Sequence, residues 1–382
     1  MATSLARLPL CLAAALAVCA ILAPAAPALV NRPVPLGERW NGHSWRRQGN
    51  PVFDGELDGV SCVSARSCTA VGINRDNGND LSLAEHWNGS RWRIQRTPGI
   101  RGADSSELRG VSCTSSRACT AAGDYGDTAG NQFVLAERWD GSRWRRQRTP
   151  GIAGSQGMVF DGVSCTSRRA CAAVGSYTDA AGTQLPLAER WDGALWRIEP
   201  PPAPHAAHGA ELVAPSCTSA RGCVAVGDFT TASGRERPLI ERWNGTTWSI
   251  DSVPLPRGTR EGRLSAVSCS SGHACTATGG YSRTGPEAAM VERWNGRRWT
   301  LQRTPTSSSA ELDGVWCPSR RFCTAVGRSS QGTLAERWGG IRWRLEHTPP
   351  PPARIFSEPQ LTGVSCRSSS FCIAVGLYLT LP

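Results

Sequence analysis

Four short runs of β-forming residues recur along the chain in a fixed order. In the segment 108–150 they are Gly110 to Cys113, Cys119 to Gly123, Val134 to Trp139 and Arg143 to Gln147. The first two runs contain small residues, whereas each of the last two carries a tryptophan. Runs this short, bounded by Gly and Asp, predict strands and not helices.

The four-run unit occurs seven times. The first cysteines of successive units lie 48 to 52 residues apart, at positions 62, 113, 165, 217, 269, 317 and 366. A four-stranded unit at this spacing predicts an all-β fold, a single seven-bladed β-propeller with four antiparallel strands per blade. Because blades converge at the axis and splay at the rim, we expect the small residues inside and the tryptophans outside.

The cysteine and tryptophan series are out of phase. The chain opens on the tryptophan half, at 36–48, and ends on the cysteine half, at 361–376. We therefore expect the N-terminal strands to complete the C-terminal blade, which closes the ring and covers its free edges.

The segments between the third and fourth strands carry Asn-Gly, Asp-Gly or Gly-Gly. These dipeptides predict type I′ hairpins, which would place Glu137 opposite Trp144. We interpret the sequons at Asn88 and Asn244 as turn chemistry. The recurring glutamate before the tryptophan, such as Glu137 or Glu189, predicts a hydrogen-bonded carboxylate between blades, since a residue present in every blade is more often structural than catalytic.

Residues 1–28 resemble a secretory signal, with an apolar run from Leu8 to Ala23 and cleavage after Ala25 or Ala28. Residues 29–382 then form the propeller, with no membrane span after cleavage. An even cysteine count behind an export signal predicts disulfides. The seven predicted pairs join Cys62 to Cys68, Cys113 to Cys119, Cys165 to Cys171, Cys217 to Cys223, Cys269 to Cys275, Cys317 to Cys323 and Cys366 to Cys372.

The formal net charge is +11, and all 42 basic residues are arginine. Many lie on the fourth strand, as Arg143, Arg145 and Arg146 do, which predicts a basic belt around the rim. Such a belt discourages sheet aggregation, or attracts anionic polymers. Specific nucleic-acid binding is not expected, because these arginines alternate with buried tryptophan instead of exposed stacking aromatics.

The segments "TAAGDY", "AERWDG" and "SRWRRQRTP" resemble the kelch type of propeller, with a Gly-ended second strand, an aromatic third strand and a Trp opening the fourth. The chain departs from kelch repeats in having one glycine instead of two and an added cysteine pair. It is more similar to secreted actinobacterial repeat proteins that carry "GVSCxSxxxCxAVG" and "LAERWNGxxW". That resemblance implies the fold and secretion, and implies no activity.

Functional residues are expected where the repeat breaks, in the variable loops between strands two and three and in the links between blades. Trp316 replaces a serine that precedes the first cysteine elsewhere, and either lines the channel as a stacking platform or fills a gap between blades. His205, His208 and Glu211 suggest a weak metal motif, and Asn74, Asp76, Asn79 and Asp80 an imperfect calcium loop. We expect neither to bind metal.

No sialidase box, H-E-x-x-H, G-x-S-x-G or phosphate loop is present in the sequence. We therefore expect a secreted, monomeric binding propeller without cofactor, whose partner is an extracellular glycan, an anionic cell-wall polymer or a protein. The alternative is a polysaccharide hydrolase or lyase with its site at the axis. An acidic pair in the channel, confined to one or two blades, would favour the enzyme, and an aromatic groove without carboxylates would favour binding.

Overall fold

The computed structural model describes residues 32–75, 79–306, 309–351, 355, 357 and 359–380. The predicted signal sequence, 1–28, lies outside these residues and remains a prediction. Within the described ranges every regular element is a strand. No helix long and apolar enough to cross a membrane occurs in these ranges.

Twenty-eight strands occur in the described residues. In chain order they are β1 Arg32–Trp40, β2 Trp45–Gln48, β3 Gly55–Ser64, β4 Ser67–Asn74, β5 Leu81–Trp87, β6 Trp92–Gln95, β7 Ala103–Ser115, β8 Ala118–Asp127, β9 Gln132–Trp139, β10 Trp144–Gln147, β11 Gly157–Ser167, β12 Ala170–Thr178, β13 Gln184–Trp191, β14 Trp196–Ile198, β15 Gly209–Ser219, β16 Gly222–Thr230, β17 Glu236–Trp243, β18 Trp248–Ile250, β19 Glu261–Ser271, β20 Ala274–Ser282, β21 Ala288–Trp294, β22 Trp299–Leu301, β23 Ala310–Ser319, β24 Phe322–Ser329, β25 Gly332–Trp338, β26 Trp343–Glu346, β27 Gln360–Ser368 and β28 Phe371–Thr380.

These strands form seven antiparallel units of four, which we call blades I to VII. Blades I to VI are β3–β6, β7–β10, β11–β14, β15–β18, β19–β22 and β23–β26, and blade VII has the order β2-β1-β28-β27. The hydrogen-bonded sheets number six within the described part, because one parallel bridge between Gly157 and Gln132 joins blades II and III. The propeller fold and its closure by the N-terminal strands are confirmed.

The closure is longer than the sequence indicates. Strand β1 pairs with β28 from Arg32, opposite Thr380, to Trp40, opposite Cys372. Nine pairs of residues therefore join these two strands. The predicted range 36–48 is extended at its start to Arg32, and the predicted range 361–376 is extended at its end to Thr380.

The first strand of each blade lies at the axis and contacts the first strands of both neighbours, and β27 returns to β3 to complete the ring. Glycine permits this approach: a Cβ placed on Gly110 would lie 3.0 Å from the Cα of Gly162 in the next blade. At six of the seven junctions a serine Oγ accepts a hydrogen bond of 2.9–3.0 Å from the amide of the next blade's first cysteine. At the junction of blades VI and VII, Trp316 occupies the position of that serine.

All seven predicted disulfides are present, each between the first and second strands of a blade. In six blades the two cysteines are directly paired, whereas in blade VI Cys317 and Cys323 lie at a shift of the register. Each disulfide closes a loop of six residues' separation. Closing such a short loop contributes about 2 kcal/mol in the chain-entropy picture. Disulfides of this number indicate an oxidising compartment.

The predicted hairpin register is wrong by two residues. Trp139 pairs with Trp144 and Glu137 with Arg146, and in the turn between them only Gly141 has a positive φ, of 101°. The reason is the Asp140 side chain, whose Oδ1 accepts hydrogen bonds from the amides of Ser142 and Arg143. This side-chain cap replaces a type I′ turn and moves the two central positions to Gly141 and Ser142. Asn88 and Asn244 make the same bonds, which confirms their role in turns.

Tryptophan pairs fill the outer part of every blade, with ring centroids 5.6–5.9 Å apart. At six junctions the arginine preceding the first tryptophan of one blade lies over the first tryptophan ring of the next, at 3.9–6.0 Å from the ring centroid. Arg138, for example, covers Trp191 and also donates a 2.8 Å hydrogen bond to the carbonyl of Arg168. Blade I has His86 at the arginine position.

We predict that Ser164→Ala destabilises the protein by about 1 kcal/mol, because it removes the acceptor of the Cys217 amide and leaves a half-buried donor unpaired. Urea unfolding measures the change. Ser252→Ala is the matched control, since Ser252 is exposed. Equal unfolding midpoints for the two variants would show that the serine-to-cysteine hydrogen bonds do not stabilise the junctions.

Candidate functional site

The variable loops and the blade links share one face, as expected. In five blades a backbone hydrogen bond joins the segment just before the first strand to the end of the second strand. In three of these blades the segment before the first strand donates, as the His208 amide does to the Thr230 carbonyl, and in the other two it accepts. On the opposite face the two short turns of each blade meet, shown by Gly141 against Arg117. We call the first surface the loop face.

The inner strands begin earlier than the sequence predicts, and their added residues are charged. Strand β7 starts at Ala103, so that Glu107 and Arg109, which the sequence places in or beside a link, belong to the wall of the channel. A bulge between Leu108 and Gly110 interrupts the two-residue alternation that would have indicated a strand.

Arg109 is the centre of one axial charge cluster. Its guanidinium lies 3.0 Å from Asp124 and 3.2 Å from Glu107, both in blade II, and 3.7 Å from Asp161 in blade III. A second cluster joins blades V and VI, where Glu311 accepts from Arg263 at 2.6 Å and from Arg328 at 2.8 Å. Both clusters connect adjacent blades at the axis.

Several axial carboxyl groups hold protons unusually tightly. Burial raises the pKa of Asp161 to about 7 against the opposing charge of Arg109, and burial raises the pKa of Asp313 and of Asp228 to about 7 as well. Burial also raises the pKa of Asp58 well above its ordinary value, with Glu107 and Glu56 adding to the effect. Shifts of this kind concentrate at functional sites, although ion-pair networks produce them too.

The acidic groups are not confined to one or two blades. Carboxylates face the axis from blades I, II, III, IV and VI, and arginine neutralises several of them. The arrangement that would have favoured an enzyme, an acidic pair in the channel confined to one or two blades, is therefore not the one observed.

The repeated glutamate before the tryptophan is fully buried in all seven blades. Three of the seven have partners on a neighbouring blade or link: Glu38 accepts from Thr333, Glu85 from Asn50 and Glu336 from the Thr306 amide. The expected hydrogen bonds are absent for the other four, Glu137, Glu189, Glu241 and Glu292, whose oxygens have no partner among the described residues. Burial raises the pKa of these four to about 8, so the neutral acid is the form that the interior accepts.

Trp316 lies on β23 opposite Thr324, partly buried against the apolar cluster of blade VII that contains Leu361 and Val364. The contact is compatible with the gap-filling alternative. Its role as a platform for a ligand stays a prediction.

The other sequence candidates do not converge. His205 and His208 are exposed, and Glu211 accepts a 2.8 Å hydrogen bond from Gln184. Asp80 pairs with Arg75 at 3.4 Å, and Asp76 lies outside the described residues. In the described part of the chain no three His, Cys, Asp or Glu side chains lie close enough to hold a metal ion.

A groove of about 400 Å³ lies on blade II, between its third strand and the link that follows its fourth. We call it the blade II groove. Phe133, which is 40% exposed, stacks on Tyr125 with ring centroids 5.2 Å apart. Arg146 lies 4.5 Å from the Tyr125 ring centroid and donates a 2.7 Å hydrogen bond to its hydroxyl. Gln147, Arg148 and Thr149 complete one wall, and no acidic residue lines the groove.

Sequence reasoning missed the blade II groove. The signal was present, because Phe133 and Arg146 stand where blade I has Leu81 and Ile94 and blade III has Leu185 and Ile198. That these two unusual residues lie beside Tyr125 follows only from the strand register, in which Phe133 pairs directly with Tyr125 across β8 and β9.

No protein-family model matches the chain, and no curated protein matches it. Solved structures do. A protein of unknown function from Dyadobacter fermentans has a TM-score of 0.53 at 11% identity, covering 94% of this chain and 100% of that one. YCF48 bound to a D1 peptide has 0.51 at 11% identity, covering 86% and 92%, and the Trypanosoma rangeli sialidase has 0.50 at 10% identity, covering 92% and 60%.

At these identities the likenesses concern the fold alone. Together with the seven four-stranded units they define the class of the chain as an all-β propeller. The fold leaves the choice among binding and catalysis to the site residues.

We predict that the buried glutamates make the protein less stable as pH rises. Their folded pKa of about 8 exceeds the ordinary value of 4.5, so the folded state binds more protons between these values, and stability present at pH 5 is lost as pH rises through 8. Glu189→Gln should flatten this profile, because glutamine is neutral throughout. Urea midpoints at pH 5, 7 and 8.5 measure it.

Glu261→Gln is the control for this prediction, since Glu261 is exposed. Its profile should follow that of the parent protein. Parallel profiles for Glu189→Gln and the parent would mean that Glu189 does not contribute to the pH dependence.

Proposed function

We propose that this chain is a secreted, non-enzymatic binding propeller that recognises an extracellular glycan through the blade II groove. The observation that carries the proposal is the exposed aromatic stack of Phe133 on Tyr125 in a groove without carboxylates. Ligand sites of this type combine an aromatic face with a few placed polar groups. Here the polar groups are the Arg146 guanidinium, the Gln147 amide and the Thr149 hydroxyl.

The Phe133 ring supplies an apolar face on which the C–H side of a sugar ring can pack. Tyr125 supports that ring from behind, and Arg146 fixes Tyr125 through its hydroxyl, so the platform is held in place before a ligand binds. The seven disulfides support an extracellular setting, and the resemblance of the repeat to secreted actinobacterial repeat proteins agrees with that setting. A cell-wall polymer or a glycosylated protein would present such a ligand to a monomeric propeller.

We predict that Phe133→Ala weakens glycan binding by about tenfold or more, as loss of a central aromatic contact does. The purified protein would be applied to a glycan array and to cell-wall fractions at low and high salt. Phe53→Ala is the matched control, because Phe53 is 82% exposed and lies outside the groove.

Three outcomes separate the alternatives for this prediction. Equal loss in Phe133→Ala and Phe53→Ala contradicts a site at the groove. Loss in Trp316→Ala instead would place the ligand at Trp316. Retention that disappears at high salt without selectivity would indicate only the basic rim.

A second function, polysaccharide hydrolysis at the axis, is favoured by one observation. Asp161 has a pKa raised by burial to about 7, and it shares Arg109 with Glu107 and Asp124. A carboxyl group that can hold a proton near neutral pH therefore lies in one cluster with two other carboxyl groups. Glycoside hydrolysis uses a pair of carboxyl groups, one as general acid and one as base or nucleophile.

If hydrolysis occurs, Asp161→Asn should lower the rate by about 10²–10⁴-fold, the usual contribution of a general acid. Activity should also fall as pH rises above about 7, because the acid must be protonated. Release of reducing ends from polysaccharides measures both. Glycan binding without release, in both the parent protein and Asp161→Asn, would exclude this second function.

A further inference from the structure

Trp139 differs from the other six tryptophans at its position. Each of those six has an arginine of the preceding blade over its ring, whereas no cation lies over Trp139 in the described structure. The cause is local, because the preceding blade has His86 where the others have arginine. The break in the repeat therefore leaves Trp139 without the arginine that covers its six counterparts, and its ring lines a groove at the junction of blades I and II.

The Trp139 ring is fixed from its own blade. Its Nε1 donates a 3.2 Å hydrogen bond to the carbonyl of Ser116, and its ring packs against Trp144 at 5.9 Å between centroids. The side chain is only partly buried. An anchored aromatic ring that lines a groove is a pre-organised platform, since no rotamer has to be frozen when a ligand arrives.

The surface beside Trp139 is a groove of about 490 Å³, which we call the junction groove. It runs between residues 94–99, which are the end of β6 and the start of the blade I link, and the turn of blade II at Ser142 and Arg143. No acidic residue lines it. Ile94 is 53% exposed and adds a second apolar contact to that of Trp139.

Two guanidinium groups give the junction groove its charge. Arg96 is exposed and has no ion pair among the described residues. Arg143 is 64% exposed, and its Nε lies 4.0 Å from the nearest carboxylate oxygen, on Asp140. Asp140 itself is held by Arg145 at 2.8 Å. Positive charge is thus available to a ligand.

We propose that the junction groove binds an acidic sugar residue of an extracellular polysaccharide, with the sugar ring stacked on Trp139 and its carboxylate paired with Arg96 or Arg143. An aromatic face suits the C–H side of a pyranose ring, and a guanidinium fork suits a carboxylate. The hydroxyls of Thr97 and Ser142, which donate to the Ser82 carbonyl and to Asp140, can accept hydrogen bonds from sugar hydroxyls. The proposal shares the ligand class of the proposed function but concerns a different groove.

The next junction supports the assignment by contrast. Between blades II and III a similar groove of about 410 Å³ is lined by Arg138 and Trp191. There the guanidinium of Arg138 lies 5.1 Å from the ring centroid of Trp191 and covers it. The repeat arginine therefore lies over the ring and in the groove at that junction, whereas His86 does not line the junction groove at blade I.

The decisive variant is His86→Arg, which restores the repeat residue and should place a guanidinium over Trp139. Binding would be measured to polygalacturonate, with its methyl ester as the neutral probe of the same backbone. We expect the affinity for polygalacturonate to fall by about tenfold or more, although the variant is more basic. The unfolding midpoint should stay equal or rise. Unchanged or increased affinity would overturn the proposal, because simple charge attraction predicts an increase.

Arg96→Gln tests the charge independently and keeps the fold, since Arg96 is exposed. It should reduce the preference for polygalacturonate over the methyl ester, whereas the control Arg298→Gln, an exposed arginine on blade V, should not. Equal affinity of the parent protein for both probes would overturn the acidic-sugar assignment. Equally tight binding of an oligothymidylate, lost in His86→Arg, would overturn it in favour of single-stranded nucleic acid.

The two grooves can fail separately. Loss of polygalacturonate binding in Phe133→Ala but not in His86→Arg would leave the proposed function standing and remove the junction groove. Loss of polygalacturonate binding in His86→Arg but not in Phe133→Ala would support the junction groove and would contradict binding of this probe at the blade II groove. No retention of any glycan by the parent protein would contradict both.

Discussion

The junction between one blade and the next is the constraint on which the whole molecule depends. Seven blades close into a ring only if every junction turns the chain by nearly the same angle, and three contacts repeat to fix that angle. They are the close approach of the inner strands near Gly110, the serine-to-cysteine hydrogen bond, and the arginine over the next tryptophan. Most repeated residues are accounted for by these contacts, which leaves the deviating residues as candidates for function.

Charge is separated in the molecule in a way that its net value of +11 conceals. Carboxyl groups gather at the axis around Arg109 and Arg263, and free arginines such as Arg96 lie at the rim of blades I and II. The arginines at the axis are already paired with carboxylates, so an anionic chain is attracted to the arginines at the rim that have no ion pair within the described ranges. The predicted rim belt is accordingly uneven, since Glu199, Asp251 and Glu346 stand in blades III, IV and VI at the position of Gln95 and Gln147.

The fold was predictable because several independent patterns in the repeat indicate the same architecture. The cysteine pairs, the spacing and the offset of the two series each indicate a closed seven-bladed ring, and local β-pairing suffices to realise them. The hairpin register was not predictable from the dipeptide alone, because the Asp140 side chain competes with the backbone for the turn amides. The first halves of the inner strands were missed because they carry charged residues such as Glu107 and Arg109, which interrupt the apolar alternation. These residues pair with each other in blade II, and Arg109 also reaches Asp161 in blade III. The His86 exception is visible in the sequence, but its effect on Trp139 requires knowing which blade packs on which.

Strand β1 has to wait for its partner. It is made before blades I to VI, yet the residues it pairs with, from Cys372 to Thr380, are made after them. The Trp40 indole likewise bonds to the Ser369 carbonyl across 329 positions of sequence. Blades I to VI can each form from neighbouring residues as the chain emerges, whereas blade VII cannot form until β28 has been made. Until then both edges of the incomplete ring expose unpaired backbone groups. The order in which the polypeptide is made therefore sets a window of aggregation risk that the finished ring removes.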